Sequence, residues 1–257
     1  MKNFTRMVAV VFVALVFLMQ AGLTGAAEIK LLSALGVKDV VDDLGPKFER
    51  ASGHKLAIKF DTLGGVVKLV QGGEVADIVI IPQQGIDTLV KDGKAAAGNV
   101  TVLARSAIVV VVRKGAPKPD ISSPDALKRA LLAAKSITYG NPADGGASAM
   151  HFAKVLDRLG IAKEMKPKTI YSKPGRDTGD LVANGKAELG VNQLQVLMPV
   201  AGIDVAGPLP GDLQATTVFA AAIMTGAKSA AASKALVSFL RTPEAAKVIK
   251  AKGMEPG

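Results

Sequence analysis

Four places in this chain set glycine and other small residues between a strand-like run and a helix-like run, and its chemistry collects there. Tyr139-Gly140-Asn141-Pro142-Ala143-Asp144-Gly145-Gly146-Ala147-Ser148 leads into an amphipathic helix with Phe152, Val155, Leu156 and Leu159 on one stripe. Gly36-Val37 follows Ile29 to Ser33, Thr62-Leu63-Gly64-Gly65 follows Leu56 to Asp61, and Gly175-Arg176 follows Thr169 to Ser172. A helix starting on such a turn leaves its first amides without acceptors, and its aligned peptide dipoles favour negative charge. The predicted chemistry is capture of a small anion by Gly36, Val37, Thr62, Leu63, Gly64, Gly65, Gly146, Ala147, Ser148 and Gly175.

Backbone amides alone do not reach a useful affinity. Helix starts contribute about 0.3–1 kcal/mol each, or ~2 when partly buried, whereas micromolar binding needs ~8 kcal/mol. Charge-assisted side-chain bonds, about 1.5–3 kcal/mol each, must supply the remainder. The donors expected are Arg176, whose planar fork matches a carboxylate, Arg105, and the neutral Ser148, Thr62 and Gln193.

Proton-transfer groups are scarce. There is no cysteine, no nucleophile elbow, and the two histidines, His54 and His151, lack metal-ligand spacing. No metal and no cofactor are therefore expected. His54 reads as a surface turn residue; Asp144 and His151 are the groups placed to act as a general base or acid if the site turns its ligand over.

The elements that must position these turns alternate strand and helix for most of the chain. Lys38 to Ala51 reads as a helix interrupted at Gly45-Pro46, Lys55 to Phe60 as a strand, and Ala76 to Pro82 as a buried strand. Ser123-Pro124-Asp125 is a helix start, with cap, proline and acid in order. Arg105 to Gly115 and Thr216 to Met224 read as two long strands, with a self-contained strand-helix unit between them. The alternation stops after the second, leaving helices over Ser229 to Leu240 and Pro243 to Ala251. This predicts an α/β clamp with a double-strand hinge: residues 28–106 begin one lobe, 107–217 build the second and 218–257 return to the first.

Ahead of this unit, Lys2 and Arg6 precede the apolar run Met7 to Met19, and Gly25-Ala26-Ala27 follows. That is the layout of a cleavable signal peptide over residues 1–27, and it predicts export to the periplasm. Without cysteine the mature protein is held by its core alone. The formal net charge is +10. Its basic residues are scattered singly and the chain has no tryptophan and only two tyrosines, so nucleic acid is not the expected partner.

The order of elements, the leader, Ala76-Asp77-Ile78-Val79-Ile80 and the terminal Pro243-Glu244-Ala245-Ala246 helix resemble the periplasmic solute-binding proteins of ABC importers, above all the molybdate-binding type. The resemblance covers the mature chain. It implies a two-lobed type II binding fold, a small anionic ligand in the interlobe cleft, a membrane permease as partner, and a monomer. That family offers a serine at the first turn and a serine-rich second turn, where this chain has Gly36 and keeps only the hydroxyl of Thr62; a tyrosine near the hinge is matched by Asn192-Gln193. The lost hydroxyls imply a different, larger anion. The segment Gly207-Pro208-Leu209-Pro210-Gly211-Asp212-Leu213-Gln214 resembles a branch similar to a periplasmic trans-aconitate isomerase, which implies organic carboxylates. The expected function is a transport binding protein for a carboxylate, and the alternative is an isomerase acting by a 1,3-proton shift through Asp144 or His151.

Overall fold

The computed structural model describes residues 25–257. The predicted leader, apart from its last three residues, lies outside the described residues.

Two sheets organise the chain. The first has strand order β11-β4-β10-β3-β1-β2, with β1 (Glu28–Ala34), β2 (Lys55–Asp61), β3 (Ile78–Pro82), β4 (Ala95–Ser106), β10 (Thr217–Met224) and β11 (Glu255–Pro256). The second has order β7-β6-β8-β5-β9, with β5 (Ile108–Arg113), β6 (Ile137–Gly140), β7 (Thr169–Ser172), β8 (Leu189–Gln193) and β9 (Ile203–Pro208). In each sheet a parallel core carries antiparallel strands on one side: β1 pairs β2 and β3 in parallel, and β6 pairs β7 and β8. Such parallel strands need helical crossovers, so helices cover the faces.

The first-sheet helices are α1 (Lys38–Ser52), α2 (Leu63–Gln71) and α3 (Gln83–Lys91); the second sheet carries α4 (Pro124–Ala133), α5 (Ala147–Arg158), α6 (Ala162–Met165), α7 (Asp177–Ala183) and α8 (Leu194–Leu197). The chain ends with α9 (Ala230–Leu240) and α10 (Pro243–Ala251) on the first sheet. Thr62, Ser123 and Thr242 cap their helices with side-chain oxygens that accept from Gly65, Ala126 and Ala245. In β5, Ile108, Val110 and Val112 enter one core cluster while Val109 and Val111 enter another. That two-sided burial is why the strand is apolar without alternation.

The predicted strand from Arg105 to Gly115 is two strands. The chain changes sheets at Ala107, so Arg105 and Ser106 finish β4 in the first sheet and Ile108 begins β5 in the second. Most of β4 escaped the sequence reading because Ala95-Ala96-Ala97-Gly98-Asn99 has low strand propensity; seven residue pairs with β10 and two with β11 hold it instead. The return crossing, between β9 and β10, is pinned to the outgoing one. Gln214 accepts from the Ile108 amide through Oε1 at 3.2 Å and donates to its carbonyl through Nε2 at 2.9 Å.

Two further expectations are corrected. α1 runs through Gly45-Pro46 as one helix: Gly45 is buried and its missing side chain admits Leu56, so packing outweighs the hydrogen bond that Pro46 forfeits. His54 is 7% exposed, not a surface residue; its Nδ1 accepts from the amide of Ala27 at 3.2 Å and its ring packs near Phe48.

Candidate functional site

An open cleft lies between the sheets. Each of the four glycine-bearing turns lines it: Leu35 and Gly36 after β1, Thr62 and Leu63 after β2, Asn141, Asp144 and Gly146 to Ser148 after β6, and Lys173 to Gly175 after β7. These are the carboxyl ends of parallel strands, where open α/β sheets bind ligands.

The turns meet across the cleft in pairs. The amide of Gly64 donates to the carbonyl of Gly145 at 3.0 Å, which brings the second turn against the third. Arg176 donates through Nη2 to both carboxylate oxygens of Asp39, each at 2.8 Å, which brings the fourth turn against the start of α1. Gln195, in α8, adds a third link: its Nε2 donates to the Gly36 carbonyl at 2.9 Å, and its Oε1 accepts from the Ser106 hydroxyl at the sheet crossing.

Several side chains on the wall are already committed to their neighbours. Asn192 Oδ1 accepts from Ser148 Oγ and from the Gln193 amide, both at 2.8 Å, and Asn192 Nδ2 donates to Thr178. Gln193 donates to Thr217 Oγ1 at 2.9 Å and accepts from Gln195. Ser148 and Gln193 therefore shape the cleft more than they offer donors to it. Of the described residues that line the cleft, three keep uncommitted side-chain donors: the Thr62 hydroxyl, which only accepts within its cap, Asn141 Nδ2, and Lys173 Nζ. To these are added the first amides of α5, at Ala147 and Ser148, which have no acceptor inside the helix. Among the described residues, Lys173 is the one cation and Asp144 the one acid on the wall.

Local packing fixes where these groups stand. Tyr139 stacks edge-on against Phe152 at 4.9 Å, which docks α5 on β6 just below the third turn. Burial, helped by Tyr171, holds the Tyr139 phenol above its usual pKa, so it stays neutral. Gly145, with φ +72°, lets the chain reverse before α5. The Lys173 amide is held by Asp177 at 2.7 Å and Pro174 follows it, so the fourth turn is rigid at its backbone.

Of the residues singled out in the sequence, Gly36, Thr62, Leu63, Gly146, Ala147, Ser148, Gly175, Gln193 and Asp144 line the cleft. Gly64 stands at its edge in the contact with Gly145, and Gly65 packs on the Asp61 carboxylate, where a Cβ would sit 2.2 Å from Cγ. Val37 is buried in the first core. Arg105 faces the β11 edge, with its guanidinium near the Pro256 carbonyl at 3.4 Å. Arg176 is occupied by Asp39 and does not line the cleft. His151 lies outside it, its Nε2 donating to the Leu213 carbonyl at 2.8 Å. The sequence reading passed over Asn141 and Lys173 as donors. Lys173 stands directly beside the turn that was singled out, but a neighbouring arginine drew the inference.

Among the described residues no three carboxylate or imidazole groups gather as metal ligands.

A family model described as bacterial extracellular solute-binding protein matches residues 29–255. The chain is 33% identical over 232 residues to an aconitate isomerase of a Pseudomonas species, covering 88% of this chain and 87% of that protein. It is 29% identical over 231 residues to the molybdate-binding protein ModA of Azotobacter vinelandii, covering 89% and 90%. The solved periplasmic molybdate-binding protein of the same organism superposes with a TM-score of 0.69 at 19% identity, over 88% of this chain and 98% of that one, a likeness in fold.

Proposed function

This chain belongs to the bacterial extracellular solute-binding protein family, and we propose that its cleft closes on a small organic carboxylate and presents it to the permease of an ABC-type importer. In this reading the leader routes the protein to the periplasm, where it acts as a monomer whose two lobes meet around the ligand. The observation that carries the reading is that four strand-to-helix turns, two from each sheet, line one hollow whose wall bears, among the described residues, a single cation. Preference for a carboxylate over a tetrahedral oxyanion rests on the donor inventory. A tetrahedral oxyanion is surrounded best by many short donors converging on one point, whereas Gly36 brings no hydroxyl, Ser148 gives its own to Asn192, and only Thr62 keeps one free. The likeness to an aconitate isomerase points the same way.

A second reading, an isomerase on the same fold, is favoured by the place of Asp144 on the cleft wall and by that relative. In an unsaturated tricarboxylate, Asp144 would take a proton from the allylic CH2 and return it to the far carbon of the alkene as the double bond shifts by one position, with no net change in atoms or electrons. His151, with Nε2 on a backbone carbonyl outside the cleft, is not placed for that role.

Calorimetry on the mature protein with molybdate, sulfate and a panel of carboxylates tests the first reading, and following the cis-to-trans ratio of added aconitate tests the second. Saturable carboxylate binding without conversion supports the transport reading. Conversion supports the isomerase, and molybdate bound far more tightly than every carboxylate removes both.

A further inference from the structure

We propose that Lys173 selects the ligand, by holding a second carboxylate at the opposite end of the cleft from the one held by backbone amides. The inference rests on the reading of the cleft as an anion site and adds which anion fits.

The pairing of turns gives the cleft two ends. At one, the Gly64 to Gly145 contact brings together the starts of α2 and α5, and Thr62, Asn141 and the first residues of α5 line the hollow there. These are neutral donors supported by a helix dipole, suited to one carboxylate. At the other, the Asp39 to Arg176 pair brings together the start of α1 and the β7–α7 turn that carries Lys173.

Of the cations at this second end, Lys38 pairs with Asp42 and Lys252 with Asp43, and neither lines the cleft, whereas Lys173 does. α7 is only seven residues long, so its dipole is weak, and Arg176 is neutralised by Asp39 across two 2.8 Å contacts. Lys173 has no such partner among the described residues, and the nearest acid in sequence, Asp177, bonds to the Lys173 backbone amide instead. An uncompensated ammonium on a wall that otherwise offers neutral groups is a specificity element: it favours a ligand long enough to reach it with a second negative group. A tetrahedral oxyanion held by the amides of one end has no group to place there. Di- and tricarboxylates do.

The test measures acetate, succinate, propane-1,2,3-tricarboxylate and molybdate by calorimetry on the wild-type mature protein and on Lys173→Met and Lys173→Arg. Lys173 is exposed, so unchanged thermal unfolding of both variants is expected and verifies folding. The wild type should bind succinate or the tricarboxylate at least about tenfold more tightly than acetate. Lys173→Met should weaken those two by roughly ten- to a hundredfold while acetate stays within about twofold, the loss expected for one charge-assisted contact. Lys173→Arg should retain more of that preference than Lys173→Met. Equal weakening of acetate and succinate, or none, in Lys173→Met overturns the role of Lys173 while leaving the carboxylate reading in place. A wild type that binds molybdate and no carboxylate overturns both.

Discussion

The amide of Gly64 lies 3.0 Å from the carbonyl oxygen of Gly145, so two turns from different sheets meet backbone to backbone across the cleft. A Cβ on Gly64 would sit 3.0 Å from the Gly145 Cα, and one on Gly145 would sit 2.8 Å from the Gly64 Cα. The contact needs both glycines at once. Because it is made by main chain, no side-chain rotamers are frozen when it forms.

Replacement at these two positions separates folding from closure. Gly64→Ala lies in the first turn of α2, where alanine suits the helix, so thermal stability should hold or rise slightly. The lobes would still be kept apart, and ligand affinity should fall by roughly tenfold in a titration. Gly145→Ala should lose the same affinity and, because φ is +72°, about 1–2 kcal/mol of stability as well. Wild-type affinity in Gly64→Ala would show that the contact plays no part in holding ligand.

Arg176 is predicted to act on the closed form without touching the ligand. Its side chain is 50% exposed and that of Asp39 is 28% exposed, so solvent screening limits the pair to about 1 kcal/mol or less. Arg176→Ala should therefore raise the dissociation rate by only a few-fold, and the difference from wild type should shrink at high salt. A loss of several hundredfold in affinity would mean that the guanidinium leaves Asp39 and binds the ligand directly.

Restoring a serine at the first turn should not make a molybdate binder. A Cβ at Gly36 would meet Phe219 Cζ and Gln193 Oε1, each at 2.8 Å, and Phe219 is 1% exposed in the first core. Gly36→Ser should lower stability by about 1–3 kcal/mol through overpacking and weaken carboxylate binding. Gain of tight molybdate binding in this single variant would contradict the packing argument.

Gln195 links the sheet crossing to the first turn while 5% exposed, so its loss strands buried partners. Gln195→Leu leaves the Gly36 carbonyl without its donor and is expected to cost about 1–3 kcal/mol in chemical denaturation. Ligand binding should weaken too, since Gly36 lines the cleft. Unaltered stability would show that water or another group replaces the amide.

If aconitate is converted, Asp144→Asn should retain binding and lose turnover by at least about a hundredfold, the contribution typical of a general base. His151→Gln should change turnover little, because His151 faces the Leu213 carbonyl. The opposite pattern, read from the isomer ratio over time, would exchange their roles.

The turns themselves were legible in the sequence. Glycine next to a helix start has a local cause, the conformational and steric demands of leaving a strand and opening a helix, so the turns at Gly36, Gly64, Gly146 and Gly175 are readable from their own neighbours. The caps at Ser123 and Thr242 are local in the same sense. β4 was hidden because its start is poor in strand formers and its stability comes from a partner strand more than a hundred residues away in sequence.

Tertiary structure alone decided which cation lines the cleft. Arg176 and Lys173 are three residues apart and equally charged, but Arg176 meets Asp39, 137 residues away, and Lys173 does not. Local sequence fixes backbone geometry through steric and hydrogen-bonding preferences of a few neighbouring residues. The direction and commitment of a long charged side chain depend on partners that only the assembled lobes bring near. The amino-acid sequence thus determined that glycine-bearing turns open these helices, and the packing of one sheet against the other decided which of their side chains are committed to neighbours and which are not.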